Sequence, residues 1–572
     1  MTIRNDEIAR LFNRYAILLE IDRASPFRVR AYRNAALTIE NLSREVSAIV
    51  RAGEDLAELP GIGADLARKL ADIVATGRFA ALAEIGKRIP LALADLADVP
   101  GLGPKRVKLL YDTLKIKSMK GLAAAARGGR LHQIHGFGPR LEQMILKATE
   151  AHVGGERRIR LFAAEQIAQS LVAYLKRVPG VEIVKVAGSF RRRRETVGDL
   201  DILVAAKVGA KPIGAFVTYG EVAEVLSKGT ARATVRLQSG LQVDLRVVEE
   251  KSYGAALVYF TGSKAHNIAL RTLCIRRHLK VNEYGVYRGE RWVAGRAEED
   301  VYAAAGLPYI EPELRENTGE FEAARAGKLP KLVTMARIKG DLHTHTNGSD
   351  GNATVEEMAR AAAARGYEYV AISDHTKHIG ITHGLDAKRL TRQMTAIDRL
   401  NAKQRGILVL KSAEVDILPD GKLAIDDAIL AGLDLVVAAV HTAFKLSAVA
   451  QTERMIRAMD NLNVNIIAHP TGRLIGEREG YEVDMARLMA AAKDRRCYFE
   501  VNGQPSRLDL DDGHCRMAKN IGLKLALVTD AHSPDTLGYM RYAVDQARRG
   551  WLEPKDVLNT RSWGQLKTLL AR

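Results

Sequence analysis

The sequence predicts a multidomain protein with an α-helical N-terminal region, an α+β middle region and a C-terminal barrel of alternating strands and helices. The 572 residues suggest about three to four domains. Near the N terminus, apolar residues recur at helical spacing, as in Ile8, Leu11, Phe12 and Tyr15. After residue 340, short apolar runs alternate with helical patterns, which indicates parallel strands joined by helices.

The net charge of +18 is unevenly distributed along the chain. From residue 341 onward, 31 Lys and Arg face 30 Asp and Glu, so +17 of the total belongs to residues 1–340. A basic excess of this kind attracts a polyanion, most simply a nucleic acid. A generally basic surface that keeps the protein soluble is the alternative.

Three glycine-rich hairpins interrupt the helical pattern of the first 150 residues, and a helical stretch follows each one. Such glycines leave backbone N–H groups open at the start of a helix, where a DNA phosphate can bind without base readout. One copy could be a tight structural turn, but three copies in a basic region favour DNA binding. The helix-hairpin-helix glycines are Gly61, Gly63, Gly101, Gly103, Gly136 and Gly138.

The middle region contains an Asp-x-Asp pair on a predicted strand. A turn at Gly188-Ser189 and four arginines precede Asp199 and Asp201, and Asp244 lies on a later alternating strand. Carboxylates two apart on a strand point to the same face, and three of them can hold two divalent ions. The turn and the arginines suit the phosphates that such ions bridge. The alternative is three unrelated surface acids on an exposed strand.

The C-terminal region opens with His343 and His345, two apart at a probable strand end. Two such histidines with an acid close by can converge on one metal. Because chemistry in parallel barrels gathers at the C-terminal strand ends, the residues that follow the later apolar runs are candidate ligands. They are Asp374, His375, Glu414, His441, His469, Glu500, Asp530 and His532.

Cysteine content and hydropathy indicate in which cellular compartment the protein is expected. The chain has three cysteines without CxxC spacing, so neither a disulfide framework nor a thiolate zinc site is expected. The apolar run at 433–440 is short and contains Asp434, so no membrane association is expected. We therefore expect a cytoplasmic protein that associates with the nucleoid through DNA binding.

Residues 1–320 resemble the family X DNA polymerases, typified by DNA polymerase beta. The most specific motifs are Gly188-Ser189-Phe190-Arg191-Arg192, Gly198-Asp199-Leu200-Asp201, Tyr259-Phe260-Thr261-Gly262-Ser263, Asn282-Glu283-Tyr284 and Pro308-Tyr309-Ile310-Glu311-Pro312-Glu313-Leu314-Arg315. The resemblance implies that Asp199, Asp201 and Asp244 are catalytic ligands of Mg²⁺ or Mn²⁺. It also implies a nucleotide site formed by Gly188, Ser189, Arg192, Gly198, Tyr259, Phe260, Gly262, Lys264, Asn267 and Arg271.

The same resemblance extends to a small N-terminal domain that can remove a deoxyribose phosphate in this family. Lys69 falls on the Schiff-base lysine and Tyr32 on an aromatic residue of that site. Phe27, Arg28 and Asp65 replace a histidine and two lysines of the family. Lys69 is therefore either a lyase nucleophile or a DNA-contacting lysine.

Residues 339–572 resemble the PHP (polymerase and histidinol phosphatase) family. The resemblance implies a distorted (β/α)₇ barrel with about three Zn²⁺ or Mn²⁺ ions, and His378, His383 and Arg473 as outer or substrate contacts. The implied metal ligands are His343, His345, Asp350, His375, Glu414, His441, His469, Asp530 and His532.

Together these resemblances imply an order of domains. They are a helical DNA-binding, lyase-like domain (1–85), fingers with helix-hairpin-helix motifs (86–150), a nucleotidyltransferase palm (151–255), a thumb (256–320), a linker (321–338) and the PHP domain (339–572).

The expected function is a monomeric repair polymerase that fills short gaps in gapped or nicked DNA with dNTPs. Its PHP domain is expected to trim 3′ ends as a 3′-5′ exonuclease and to cut at abasic sites. Two alternatives stay open: a DNA-binding scaffold with a dead polymerase, and a DNA-tethered PHP domain that is a phosphatase for small substrates or purely structural.

Overall fold

The computed structural model describes residues 3–571 apart from 4, 41, 43–45, 60, 98, 100, 155–157, 208–210 and 378–382. The chain forms two compact units, one made of residues 1–156 with 476–478 and the other of the remainder. Within the described residues, no helix is both long and apolar enough to cross a bilayer.

The first unit is α-helical, as the apolar spacing predicts. Its core includes an aromatic cluster in which Tyr32 packs edge-on against Phe12 and Tyr15, with ring centroids 5.3 and 4.8 Å away. The helices are Asn5–Ile21, Pro26–Glu40, Val46–Arg51, Ala64–Thr76, Ala80–Gly86, Leu93–Leu96, Pro104–Leu114, Met119–Arg127 and Pro139–Gly154.

The second unit begins with a five-stranded sheet beside the helix Leu161–Leu175. The two central strands are parallel, and the others pair antiparallel to their neighbours. Alternating buried residues of these strands form the core. In sheet order the strands are Val181–Val186, Asp199–Ala206, Gln242–Val248, Arg232–Leu237 and Val222–Lys228.

A mixed subdomain follows this sheet and corresponds to the predicted thumb. Its helices and strands enclose a core around Leu270, Tyr302 and Phe321. The helices are Tyr253–Thr261, Lys264–Ile275, Glu298–Ala304 and Glu320–Arg325, and the strands are Lys280–Asn282, Gly285–Arg288 and Arg291–Ala294.

The C-terminal region forms a parallel seven-stranded sheet in sequential order. The sheet closes on itself, because the His345 amide donates to the Ala531 carbonyl at 2.8 Å and the Asp530 amide to the His343 carbonyl at 3.0 Å. The strands are Gly340–Thr344, Tyr369–Ile372, Leu408–Asp416, Leu435–Ala439, Ile466–Ile467, Tyr498–Asn502 and Leu525–Val528. The helices are Val355–Ala364, Ala387–Lys403, Asp427–Leu430, Ala448–Met459, Met485–Asp494, Asp512–Ile521, Met540–Arg549 and Trp563–Leu570.

Two local predictions differ from the structure. The predicted linker 321–338 is packed: Phe321 belongs to the thumb core and Val333 to the barrel core. Glu414 does not follow its strand but lies inside Leu408–Asp416, because the strand continues past the apolar run Leu408–Leu410. Glu500 likewise lies inside its strand.

Candidate active sites

The first candidate site lies at the centre of the five-stranded sheet. The parallel register pairs Asp201 directly with Asp244, and Asp199 lies two residues before Asp201 on the same strand. The structure thus brings the three predicted carboxylates together. Burial is the largest cause that raises the pKa of Asp201 to about 7, and the charges of Asp199 and Asp244 add to it. Positive charge at this site would favour the ionised carboxylates, so the donor set suits divalent cations.

Two neutral side chains hold Asp244 in place. Thr234 donates from Oγ1 to Asp244 Oδ1 at 2.5 Å, and Gln242 donates from Nε2 to Asp244 Oδ2 at 2.8 Å. Each carboxylate oxygen therefore has one fixed donor, and neither donor adds charge. Thr234 was not among the residues predicted from the sequence; it lies directly opposite Asp244 on the neighbouring antiparallel strand.

Glycine is required at position 188 because the backbone there comes very close to the Asp201 side chain. Gly188 has a φ of +62°, and a Cβ at this position would lie 2.3 Å from Asp201 Oδ2. The short helix Gly188–Arg191 begins here and includes Ser189. Gly198 lies in the turn directly before Asp199.

The arginines after the turn have different partners, which corrects the prediction that they serve phosphates as a group. Arg191 forms a buried ion pair with Glu298, at 2.5 Å between Nη2 and Oε2. Arg193 pairs with Asp545 of the helix Met540–Arg549, at 2.6 Å. Arg192 is directed to the predicted nucleotide segment, because its Nη1 donates to the Thr261 carbonyl at 2.6 Å.

The remaining predicted nucleotide residues lie at the junction of the helices Tyr253–Thr261 and Lys264–Ile275. Asn267 donates from Nδ2 to the Tyr259 carbonyl at 2.6 Å, and the Tyr259 and Phe260 rings are 5.1 Å apart. Lys264 is exposed in the first turn of the second helix. Gly262 joins the helices with a φ of +68°. Arg271 lies one turn after Asn267 and donates to its carbonyl at 3.4 Å.

The second candidate site lies at the C-terminal ends of the barrel strands. Glu414 is at its centre, 2.9 Å from His375 Nδ1, 3.1 Å from His441 Nε2 and 2.9 Å from His469 Nε2. His343 approaches Glu414 to 3.5 Å. Four histidines, each at or near the end of a different strand, thus converge around one carboxylate.

The other predicted ligands complete the same cluster. Asp530 Oδ1 is 3.1 Å from His345 Nε2, and Asp350 is 3.5 Å from His532 and 3.6 Å from His375. Three groups have ligand atoms within 4.8 Å of one another: His345, Asp350, His375 and His532; His343, His345 and Asp530; and His375, Glu414 and His441.

The donor set fits metal ions. His343 and His345 are fully buried, and their Nε2 atoms lie 3.1 Å apart. Burial opposes the charged form of His343, but the Glu500, Glu414 and Asp530 carboxylates outweigh it and hold its pKa well above the usual range. A buried cluster of histidines and carboxylates of this kind suits metal ions in place of protons.

Outer carboxylates orient two of these histidines. Glu500 Oε2 accepts from His343 Nδ1 at 2.8 Å, and Asp416 Oδ1 lies 3.0 Å from His441 Nδ1. Such partners set the tautomer of a ligating histidine. Glu500 was predicted from the sequence as a candidate ligand, whereas Asp416 was not. Asp416 shares a strand face with Glu414, because the two are two residues apart on Leu408–Asp416.

The three residues predicted as outer or substrate contacts of the barrel differ in position. Arg473 pairs with Glu195 of the first catalytic region at 2.8 Å and donates to the Arg507 carbonyl, so it joins the barrel to the sheet domain. His383 is exposed, and its carbonyl accepts from Arg389. His378 lies outside the described residues.

In the first unit, each hairpin has a glycine in the left-handed region: Gly61, Gly101 and Gly136, with φ of +72°, +81° and +89°. The following glycines, Gly63 and Gly103, are N-caps without a side chain, so no side chain caps the N–H groups of the next helical turn. After Gly103 these groups begin at Lys105, because Pro104 has no N–H. Gly138 directly precedes the helix Pro139–Gly154.

Lys69 lies in this unit between Tyr32 and Asp65. Its Nζ donates to Tyr32 Oη at 2.8 Å and forms an ion pair with Asp65. Burial favours the neutral amine, but the hydrogen bonds to Asp65 and Tyr32 outweigh it and raise the pKa of Lys69. The amine is therefore held as an ammonium ion.

Comparison with known proteins assigns both sites to one family. The chain is 36% identical over 570 residues to the DNA polymerase/3′-5′ exonuclease PolX of Bacillus subtilis, covering 99% of each chain. It belongs to the family X DNA polymerases that carry a PHP domain. The family combines a DNA polymerase with a metal-dependent phosphoesterase and 3′-5′ exonuclease domain, and this family X chain contains both parts.

Family models match separate parts of this family X polymerase. They are a helix-hairpin-helix domain (3–79), a SAM-like helix-hairpin-helix tandem (93–150), a DNA polymerase beta thumb (256–316) and a PHP domain (341–504). The front half is 26% identical over 325 residues to DNA polymerase lambda of Rattus norvegicus, covering 51% of this chain and 52% of that protein. The barrel is 30% identical over 243 residues to a probable phosphatase of Thermoanaerobacter sp. (strain X514), covering 40% of this chain and 93% of that protein.

Proposed function

We propose that the protein fills short gaps in DNA from dNTPs and trims 3′ ends in its barrel. The observation that supports this most strongly is the presence of two separate clusters of metal-ligand residues in one chain, one of carboxylates around Asp201 and one of histidines around Glu414. A polymerase needs a clean 3′-hydroxyl, and a phosphoesterase can produce one.

In the polymerase site, Asp199, Asp201 and Asp244 would hold Mg²⁺ or Mn²⁺, which supplies positive charge to the triphosphate and acidifies the primer hydroxyl. Ser189 and Arg192 would hold the phosphates, and the turn that precedes them comes close to Asp201 at Gly188. Catalysis by the protein itself is then positioning and charge stabilisation. The sugar and the nascent base pair would contact Tyr259, Phe260, Gly262, Lys264, Asn267 and Arg271.

The preferred DNA is gapped or nicked. The open amides after Gly63, Gly103 and Gly138 would bind backbone phosphates on either side of a gap without reading sequence. We propose domain boundaries at residues 85, 150, 255, 320 and 338, with the segment between the last two packed on the thumb and barrel cores. A monomer is expected, in the cytoplasm and near the nucleoid.

In the barrel, about three Zn²⁺ or Mn²⁺ ions would supply a hydroxide nucleophile and charge for the phosphoester. The three groups of ligand atoms around His345, Glu414 and Asp530 support that number. His343 and His441, oriented by Glu500 and Asp416, keep their Nε2 atoms directed into the cluster. Cutting at abasic sites would use the same cluster.

A gapped duplex with a labelled primer tests this proposal. With dNTPs and Mg²⁺ or Mn²⁺, we expect the primer to lengthen to the gap size, and without dNTPs to shorten from its 3′ end. A primer that does not lengthen with either metal would contradict the polymerase function and favour a DNA-binding scaffold.

A small-molecule phosphatase is the second candidate for the barrel, favoured by its similarity to probable phosphatases over nearly their whole length. Turnover of histidinol phosphate compared with that of DNA 3′ ends separates the two. Much faster hydrolysis of the small substrate would replace the exonuclease proposal.

A further inference from the structure

The barrel helix Met540–Arg549 packs directly on the arginine-rich turn of the polymerase domain. Asp545 forms an ion pair with Arg193. The Tyr542 hydroxyl donates a hydrogen bond to Glu165 of the helix Leu161–Leu175 at 2.6 Å. Arg549, the last residue of the barrel helix, donates from Nη1 to the main-chain carbonyl of Arg192 at 2.7 Å. A residue of the PHP domain therefore touches the backbone of the residue assigned to the triphosphate.

A single carboxylate also joins these two arginines. Arg192 Nε and Arg549 Nη1 each lie 3.1 Å from the same oxygen, Oε1 of Glu316. Arg549 is 2% exposed in its side chain, and the guanidinium also pairs with Asp512 of the barrel. Charges that share a largely buried acceptor depend on one another, because water screens them only weakly.

We propose that Arg549 is a positioning residue of the polymerase active site, supplied by the PHP domain. By neutralising Glu316, it prevents this carboxylate from holding Arg192 as a full ion pair, and it anchors the Arg192 backbone at the same time. The inference rests on the proposed role of Arg192 as a triphosphate ligand.

The hydrogen bonds of Arg192 explain why its partner matters. Nη1 is fixed on the Thr261 carbonyl and Nε faces Glu316, whereas for Nη2 the structure gives no hydrogen bond within its described residues. A triphosphate must compete with Glu316 for this guanidinium. Arg194, the third cation at Glu316, is more distant at 4.0 Å. Without Arg549, more of the negative charge of Glu316 would therefore fall on Arg192, and nucleotide binding would weaken.

The neighbouring Arg548 provides a matched control. It lies on the same helix and pairs with the thumb through Glu313 at 2.7 Å, but it contacts neither Arg192 nor Glu316. Arg548→Met therefore removes the same charge from the same interface without changing the environment of Arg192. If the interface only held the domains together, the two variants would act alike.

The test measures KM for dNTP and kcat on a gapped duplex, together with the rate of 3′ trimming without dNTP. We expect Arg549→Met to raise KM for dNTP about 10-fold. The kcat and the rate of 3′ trimming should stay within about 3-fold of the parent. The reason is that the substitution weakens a contact to the triphosphate that is already made in the ground state. Arg548→Met should leave KM within about 2-fold, because Arg548 pairs with Glu311 and Glu313 and contacts neither Arg192 nor Glu316.

Glu316→Gln completes a double-mutant cycle. In this background Arg549→Met should raise KM by less than about 3-fold, because the charge that Arg549 neutralises is gone. An unchanged KM in Arg549→Met, an equal rise in Arg548→Met, or an undiminished rise in the Glu316→Gln background would each overturn the inference.

Arg192→Met separates this inference from the function on which it rests. If Arg192→Met leaves KM unchanged, the assignment of Arg192 to the triphosphate fails. If Arg192→Met raises KM and Arg549→Met does not, the triphosphate assignment stands and only the positioning role of Arg549 is overturned.

Discussion

Asp201 and Asp244 are direct partners on two adjacent parallel strands, and the Gly188 turn closes over Asp201. The polymerase site therefore depends on the register of one strand pair, and the barrel site depends on strand ends that surround Glu414. The two sites share no ligand residue, so each can be changed alone.

Changing Glu500 to Gln tests the carboxylate that orients His343 in the barrel site. The glutamine amide accepts a weaker hydrogen bond from His343 Nδ1–H than the carboxylate does. We therefore expect metal affinity or the rate of 3′ trimming to fall about 10- to 100-fold. Gap filling should be retained. Metal content after dialysis and the trimming rate measure this. Glu453→Gln, at an exposed pair with Arg487, is the control. Unaltered metal binding in Glu500→Gln would contradict the assignment.

Glu298 links the palm to the thumb and makes stability depend on pH. Burial opposes its charged form, but Arg191 and Arg315 outweigh burial and lower the pKa of Glu298 to about 2. A lowered folded-state pKa stabilises the protein above the unfolded value near 4.5, and this stability is lost as pH falls towards 2. Glu298→Gln should reduce the free energy of unfolding by about 3 kcal/mol at pH 7.

Urea unfolding of Glu298→Gln and the parent at pH 7 and pH 3.5 checks the sign, because the difference should shrink at the lower pH. Glu299→Gln, exposed at the next position, should change little. A difference that grows on acidification would be inconsistent with the ion pairs.

Gly103 tests the DNA contact of the second hairpin. Its φ of −77° suits alanine and a Cβ there meets no atom within 4 Å, so Gly103→Ala should fold normally. Added bulk at the open amides should weaken DNA binding about 5-fold, the value of one hydrogen bond. Gly214→Ala, equally open but outside the hairpins, is the control for fluorescence-anisotropy titrations. Equal affinities for the two variants would argue against phosphate binding there.

Asp65 tests whether Lys69 can act as a nucleophile. Because the Asp65 hydrogen bond raises the pKa of Lys69, the parent should form little borohydride-trapped adduct with abasic DNA at pH 7, and Asp65→Asn should form more. Asp72→Asn on the same helix is the control. Adduct formation in the parent as efficient as in Asp65→Asn would show that the ammonium form does not limit the reaction.

Sequence patterns predicted which strands and loops carry the predicted ligands. They did not predict the contacts between domains. Asp199, Asp201 and Asp244 were identifiable because strand alternation fixes which side chains share a face, and all nine predicted barrel ligands lie in the C-terminal parts of strands or in the loops after them. The partners of Arg193 and Arg473 were not identifiable, because Asp545 and Glu195 are distant in sequence and no local periodicity relates them. The contact between Glu316 and Arg549 was not identifiable for the same reason.

The most direct test of two independent sites follows a labelled primer on a gapped duplex with Asp201→Ala and His343→Ala. We predict that Asp201→Ala stops extension while 3′ trimming continues, and that His343→Ala stops trimming while extension continues. Loss of both activities in either variant would contradict the assignment of polymerisation and trimming to separate centres.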